Sequence, residues 1–206
     1  PHATGRIRLH PPWDDPDAFR GIEDFSHLWI SFLFHQVPEE RTPSTLVRPP
    51  RLGGNERVGV FASRSPFRPG RLGLSLVRNQ GLTHEEGTLC LRIGEIDLVD
   101  GTPVLDIKPF LPWCDAPRTA TGSWANNPPA PTLDVSFSAE VEDRLRELES
   151  HYPDLRALIQ EVLGQDPRPA YHADSPDRRY ALRLYDLDIH WRVAYGECHV
   201  ETLSDT

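Results

Sequence analysis

The sequence predicts a mainly β protein: an antiparallel sheet or barrel over residues 1–113, then a smaller α+β module over residues 132–206. Three observations predict it. Up to residue 113 the apolar runs are short, rich in β-branched and aromatic residues, and broken by glycine and proline. Residues 114–131 lose that patterning and gather Pro117, Asn126, Asn127, Pro128, Pro129 and Pro131, the composition of a linker. Beyond the linker, two segments carry apolar residues at helical spacing between runs of strand type.

Taken in order, residues 4–9 predict a short strand with Ile7 and Leu9 on one face, and residues 11–16 a proline-rich turn. Residues 17–25 have room for a single helical turn. Residues 25–34 form an aromatic-rich run that predicts a continuously buried strand ending in His35-Gln36. His27 reads as a satisfied core histidine, while ligand contact and simple strand termination stand level for His35. Residues 39–52 make a basic, proline-rich loop too long for a mere connection, and its Arg41, Arg48 and Arg51 point to substrate contact.

Gly53-Gly54 then opens the stretch around which the chain is organised. A strand is expected over residues 58–62, followed by Arg64-Ser65-Pro66-Phe67-Arg68-Pro69-Gly70. Proline fixes its own φ and restricts the residue before it, so this turn is stiff. Its guanidinium groups suit an anion or a planar ligand, although an ordinary surface turn can share the composition. Further strands are expected over residues 74–77, 88–93 and 95–99, with Asp100-Gly101 as a hairpin signal and a return over residues 102–107. That hairpin gathers Asp97, Asp100, Asp106 and Lys108; turn chemistry accounts for Asp100, and a salt bridge accounts for Asp106 with Lys108.

In the second module, residues 133–137 predict a strand, and Ser138 an N-cap before a helix over residues 139–150 with Val141, Leu145 and Leu148 on one face. A second helix over residues 155–163 stops at Gly164. Residues 165–171 are a proline-stiffened turn whose Arg168 and Tyr171 either pin the module or meet RNA. Strands over residues 180–185, 188–195 and 198–202 complete it.

Charge and cysteine usage narrow the function. The net charge of −9 argues against nucleic acid, but residues 41–78 hold eight arginines against one acid, Glu56. A basic zone on an acidic body suits phosphate steering. Cys90, Cys114 and Cys198 form no Cys-x-x-Cys pair, which argues against a zinc site or a disulfide framework and for a reducing cytoplasm. The histidines lack metal-type spacing. The run at residues 25–34 is too short to span a bilayer, and no signal-peptide pattern is visible.

Two blocks, Gly-Val-Phe-Ala-Ser-Arg-Ser-Pro-Phe-Arg-Pro from Gly59 and Asp-Leu-Val-Asp-Gly-Thr-Pro-Val-Leu-Asp-Ile-Lys-Pro from Asp97, together resemble the TrmO (TsaA-like) family. The resemblance extends over Arg20-Gly21-Ile22-Glu23, Phe25-Ser26-His27-Leu28-Trp29, Phe34-His35-Gln36, the run from Arg48 to Asn55, and the segment from Gln165 to Tyr171. It implies a small antiparallel β-barrel that works as a cytoplasmic homodimer. The implied activity is S-adenosylmethionine-dependent N6-methylation of threonylcarbamoyl-adenosine beside the tRNA anticodon. The implied cofactor contacts are His35, Gln36, Arg64, Leu74, Asp97, Leu98, Val99 and Asp100. Arg41, Arg48, Arg51, Arg68 and Arg71 are expected to hold tRNA phosphates, and Arg168 and Tyr171 to meet the anticodon loop. Asp100 is the first candidate base for the target nitrogen and Asp106 the second.

Three departures from the family pattern stand out. A family segment of Pro-Arg-Gln type, which contributes to the cofactor site, would precede Pro1. Gly70-Arg71 replaces the usual Asn-Pro, and Phe110 replaces the usual tyrosine. Two alternatives from other classes remain at this level: a non-catalytic cofactor-binding regulatory module, and a simple RNA-binding barrel.

Overall fold

The computed structural model describes residues 3–38, 44–49, 56–126, 131–168 and 178–206. The chain divides into two compact units, Pro1–Trp124 and Ala125–Thr206. In the first, strands β1 (Thr4–Arg8), β2 (His27–Leu33), β5 (Leu72–Glu85), β6 (Thr88–Gly94) and β7 (Val104–Pro109) form one sheet. The two-residue strands β3 (Leu46–Val47) and β4 (Val58–Gly59) pair separately. The sheet order is β1-β6-β5-β2-β7, and every pairing is antiparallel.

This sheet is open. Closing a barrel requires its two edge strands to pair, with tilt and stagger consistent around the ring. Among the described residues no ladder joins β1 to β7, so the expected closed barrel is not formed. Ile7, Leu28, Ile30, Val77, Leu89, Leu91 and Ile93 bury the inner face.

The expectation for β2 is corrected as well. It alternates, with Leu28, Ile30 and Phe32 buried and His27, Trp29, Ser31 and Leu33 half-buried on the other face. His27 is therefore not a core histidine. Its Nδ1 lies 2.9 Å from the Ser26 hydroxyl, and its Nε2 lies 4.0 Å from Glu95. β5 is far longer than the expected residues 74–77. A bulge between Asn79 and Leu82, with Gly81 at φ 82°, bends the strand and lets it keep pairing with β6.

Residues 95–99 are not a strand. Glu95 takes φ 60°, and Arg78 holds its carboxylate through Nε at 3.0 Å and Nη2 at 2.5 Å. The chain thus leaves the sheet after β6 and crosses to β7, which pairs with β2 on the far side. Asp100-Gly101 consequently turns a crossing loop instead of a hairpin. The Thr102 N–H donates to the Val99 carbonyl at 3.2 Å, and Gly101 supplies the φ of 72° that this turn needs. Similarly, the expected strand over residues 58–62 stops at Gly59, because Val60–Ala62 tightens into a 3-10 turn. After β7, the short helix α1 (Pro112–Asp115) follows. The Asp115 carboxylate accepts from the Leu111 N–H at 2.9 Å and from the Trp29 indole at 3.0 Å. These bonds hold it below the usual carboxylate range.

The second unit is α+β, as expected. Strand β8 (Asp134–Phe137) leads to helices α2 (Ala139–Leu148) and α3 (Leu155–Gly164), then to β9 (Tyr180–Leu184), β10 (Leu187–Ala194) and β11 (Glu197–Asp205). The sheet order is β8-β11-β10-β9, with β8 parallel to β11. Ser138 caps α2 by accepting from the Val141 N–H at 3.2 Å. Val141, Leu145, Leu155, Ile159 and Leu163 of the helices pack on Leu187, Ile189, Trp191, Val193, Cys198 and Val200. Burial there pushes the Cys198 thiol up to about 12.

Candidate functional site

In the first unit, the end of β2 and two loops surround a cleft of about 410 Å3. Residues Phe32 to Pro38 form one wall, Pro66 and Phe67 a second, and Asp97, Leu98, Val99 and Thr102 the third. Apolar walls with a few polar groups are the usual make-up of a small-molecule site, and such sites run from about 300 to 1,000 Å3.

Each wall has a local cause. β2 ends where the Leu33 N–H donates to the Pro103 carbonyl at 3.0 Å and the Phe34 N–H to the Arg71 carbonyl at 2.8 Å. These bonds turn His35 and Gln36 out of the sheet. Two serines hold the loop that carries Pro66 and Phe67. The Ser63 hydroxyl donates to the Val60 carbonyl at 2.8 Å and accepts from the Ser65 N–H at 3.2 Å. The Ser65 hydroxyl accepts from the Phe67 N–H at 3.3 Å. Such side-chain turns add to the stiffness that the prolines impose. Asp97 accepts a 2.7 Å hydrogen bond from Ser75 of β5. Phe32 packs edge-on against Phe34 with ring centres 5.2 Å apart. Its partner across β5 is Gly73, where any side chain would overlap the Phe32 ring.

Of the expected cofactor residues, the cleft unites His35, Gln36, Asp97, Leu98 and Val99. Arg64 does not line it, but is exposed on the same loop as Pro66 and Phe67. Leu74 points the other way: it pairs with Ser31 and is 51% exposed on the outer face of β5, in a row with Leu72 and Leu76. Asp100 stands exposed at the apex of the turn that follows the third wall. Asp106 is engaged elsewhere, accepting from Lys108 at 2.9 Å and from the Ile107 N–H at 2.9 Å. Lys108 in particular holds its carboxyl below the usual range.

Among the expected RNA contacts, Arg41, Arg51 and Tyr171 lie outside the described residues. Arg48 is exposed. Arg68 donates to the Ser63 carbonyl at 3.3 Å. Arg71 donates to the carbonyls of Val37 at 3.3 Å and Pro38 at 3.4 Å. These two arginines therefore brace the cleft walls. In the second unit, Arg168 is only 6% exposed and grips Asp166 through Nε at 2.7 Å and Nη2 at 2.8 Å. That fork shapes the turn at residues 166–168 and keeps the guanidinium out of solvent.

Asp166→Ala is expected to destabilise the chain by about 1.5 kcal/mol, the low end for losing hydrogen bonds to a charged group. Arg168 lowers the folded-state pKa of Asp166, so this contribution is complete above the unfolded value of about 3.9. It disappears as pH falls through the depressed folded value. Urea unfolding of both chains at pH 7 and pH 2 should show the gap shrinking in acid. A gap that persists in acid would assign the loss to packing.

Ser75, Ser63 and Ser65 are site residues that the sequence reading did not single out. Ser75 did carry a signal: Gly73, Ser75 and Val77 share the inward phase of β5, and a hydroxyl on a buried phase demands a partner.

Residues 1–116 match the tRNA-methyltransferase O N-terminal domain, and residues 130–206 match the TrmO C-terminal domain. The chain is 50% identical over 192 residues to the tRNA (adenine(37)-N6)-methyltransferase of Escherichia coli strain K12, covering 93% of this chain and 81% of that protein. It is 45% identical over 179 residues to the protein of that name from Eikenella corrodens, covering 87% and 97% of the two chains. A crystal structure of TrmO from Pseudomonas aeruginosa superposes with a TM-score of 0.78 at 36% identity, over 98% of this chain and 84% of that one.

Proposed function

The chain belongs to the tRNA-methyltransferase O family, and from that premise we propose that it is an S-adenosylmethionine-dependent tRNA methyltransferase. Its target is N6 of threonylcarbamoyl-adenosine beside the anticodon. The observation that carries the reading is the cleft between β2 and the 63–67 and 97–102 loops: apolar walls, a fixed carboxylate and two polar side chains at the mouth. That donor set fits the cofactor. A carboxylate can accept from ribose hydroxyls, Gln36 can both donate to and accept from an adenine edge, and Phe32, Phe34 and Phe67 offer apolar surface to a flat base.

When bound, the cofactor supplies an electrophilic methyl group and its own leaving group. The protein contributes alignment and the exclusion of water. Arg64, free of hydrogen bonds among the described residues, presents a guanidinium that can clamp a carboxylate with two parallel bonds. Leu72, Leu74 and Leu76 are 53%, 51% and 36% exposed, an apolar row that supports a homodimer in which Leu74 is covered by a second copy. Among the described residues no helix is long and apolar enough to cross a membrane, and a tRNA substrate fits a cytoplasmic location.

Transfer of labelled methyl from S-adenosylmethionine to tRNA tests the activity. Incorporation should require the threonylcarbamoyl group on the target adenosine; equal labelling of tRNA lacking it would overturn the substrate assignment. The basic zone should meet anticodon-loop phosphates through Arg48 and Arg51, with Tyr171 as the proposed base-stacking residue. Arg48→Ala with Arg51→Ala is expected to lower the slope of log K against log salt by roughly 1–2, since each neutralised phosphate contributes about 0.7–0.9. An unchanged slope would move the RNA path elsewhere.

A further inference from the structure

We infer that Ser75 is a positioning residue for the cofactor, holding the Asp97 carboxylate in the orientation in which it can receive the ligand's hydroxyl groups. The inference rests on the reading of Asp97 as a cofactor contact.

Position 75 lies on the inward phase of β5, paired with Ile30 across the sheet. The neighbouring inward positions are Gly73 and Val77, and Val77 is fully buried in the core. Ser75 itself is 6% exposed, a polar residue on an inward phase whose other buried positions are held by glycine and an apolar side chain. Burying a hydroxyl costs free energy unless it is hydrogen-bonded, so packing alone favours alanine or valine there. The hydroxyl is bonded to a single carboxylate, Asp97 Oδ1, at 2.7 Å. Asp97 is exposed and lines the cleft.

The asymmetry between the two partners gives the bond its meaning. Asp97 sits in solvent and could be fully hydrated without Ser75, so the bond is not needed to rescue a buried charge. It does remove the carboxylate's freedom to rotate. One oxygen is committed to the strand, and the remaining lone pairs are left for a donor in the cleft. Among the described residues Asp97 takes no other hydrogen bond. A contact group held by a supporting hydrogen bond loses less entropy on binding than one that swings freely.

This predicts opposite signs for folding and binding. Removing the hydroxyl removes a buried polar group without stranding a buried partner, so the melting temperature of Ser75→Ala should hold or rise. Its affinity for S-adenosylmethionine, measured by titration calorimetry on the full chain, should fall about fivefold, the scale of one ordinary hydrogen bond. In methyl transfer the loss should appear in KM for the cofactor and be recovered at saturating cofactor. Ser75→Thr keeps the donor and should restore affinity.

Asp97→Ala provides the second arm. It should weaken binding by itself, and adding Ser75→Ala to it should cost nothing further, because the two residues act as one unit. Weakened binding in Asp97→Ala with wild-type affinity in Ser75→Ala would overturn the inference and leave the cofactor site standing. Wild-type affinity in both would overturn the site reading and the inference with it. A drop in melting temperature that parallels the affinity loss in Ser75→Ala would reassign the serine to folding.

Discussion

A Gly73→Ala chain is expected to lose about 1–3 kcal/mol of folding stability, the usual cost of overpacking a filled interior. It should also bind S-adenosylmethionine at least roughly tenfold more weakly, an expectation built on the same displacement of the cleft wall. The cause is a single missing Cβ. Gly73 stands directly across from Phe32, and a methyl group at position 73 would fall on the Cζ, Cε1 and Cε2 atoms of that ring. Phe32 has little freedom to withdraw. It is 5% exposed, and Phe34 packs edge-on against it. The ring must therefore swing toward the cleft it lines or push β2 from β5. Phe32→Leu in the Gly73→Ala background shortens the ring's reach and should return much of the stability. Urea unfolding and titration with cofactor read the two effects separately. Wild-type values for both in the single variant would mean that the ring yields at no cost, and would remove Gly73 from the architecture of the site.

The same pair of strands marks where the sequence was legible and where it was not. The strand character of residues 27–33, 88–94 and 187–194, the Ser138 cap and both helices of the second unit follow from composition, periodicity and local hydrogen-bonding rules. Those signals are local. Whether β1 meets β7 is a long-range matter of tilt and stagger, and short strands alone fit an open sheet as well as a barrel. The Asp100-Gly101 turn is real, but its flanks run to different places: the chain leaves β6 at Glu95, which takes φ 60° with its carboxylate on Arg78. Residue spacing does not register such a departure.

The cleft divides in the same way. His35, Gln36 and the 97–99 segment were legible through the family resemblance, and they do line one cavity. Leu74 shows the limit of that route. Strand parity puts it on the outer face while Gly73 and Ser75 face inward, so the small residues on either side of it support this cleft and Leu74 stays open to the second copy proposed above. Arg68 and Arg71 show another limit. In sequence they read only as cations for phosphate, while the fold also has them donate to the carbonyls of Ser63, Val37 and Pro38.

Asp100→Asn is expected to lower methyl transfer at saturating cofactor by about a hundredfold, the low end for loss of a general base. N6 of the modified adenosine lies between the purine ring and a carbamoyl group. It is a weak nucleophile that must shed its proton as the new bond forms, and a carboxylate beside it can take that proton. Asp106, the other candidate, accepts from Lys108 at 2.9 Å, and that partner holds its carboxyl below the usual range; a depressed pKa makes a poorer base. Asp100 makes no hydrogen bond among the described residues and stands exposed on the turn beside Val99 and Thr102, which line the cleft. It can therefore meet a substrate approaching from solvent. The target N–H is a very weak acid and solvent can share in removing its proton, which sets the expected effect near a hundredfold instead of higher. Asparagine preserves the shape of the side chain, so cofactor affinity measured in parallel should change by less than about threefold, within the scale of one weak hydrogen bond. Turnover within a factor of about three of wild type would remove Asp100 as the base and leave solvent to take the proton. An affinity loss as large as the rate loss would make it a cofactor contact instead.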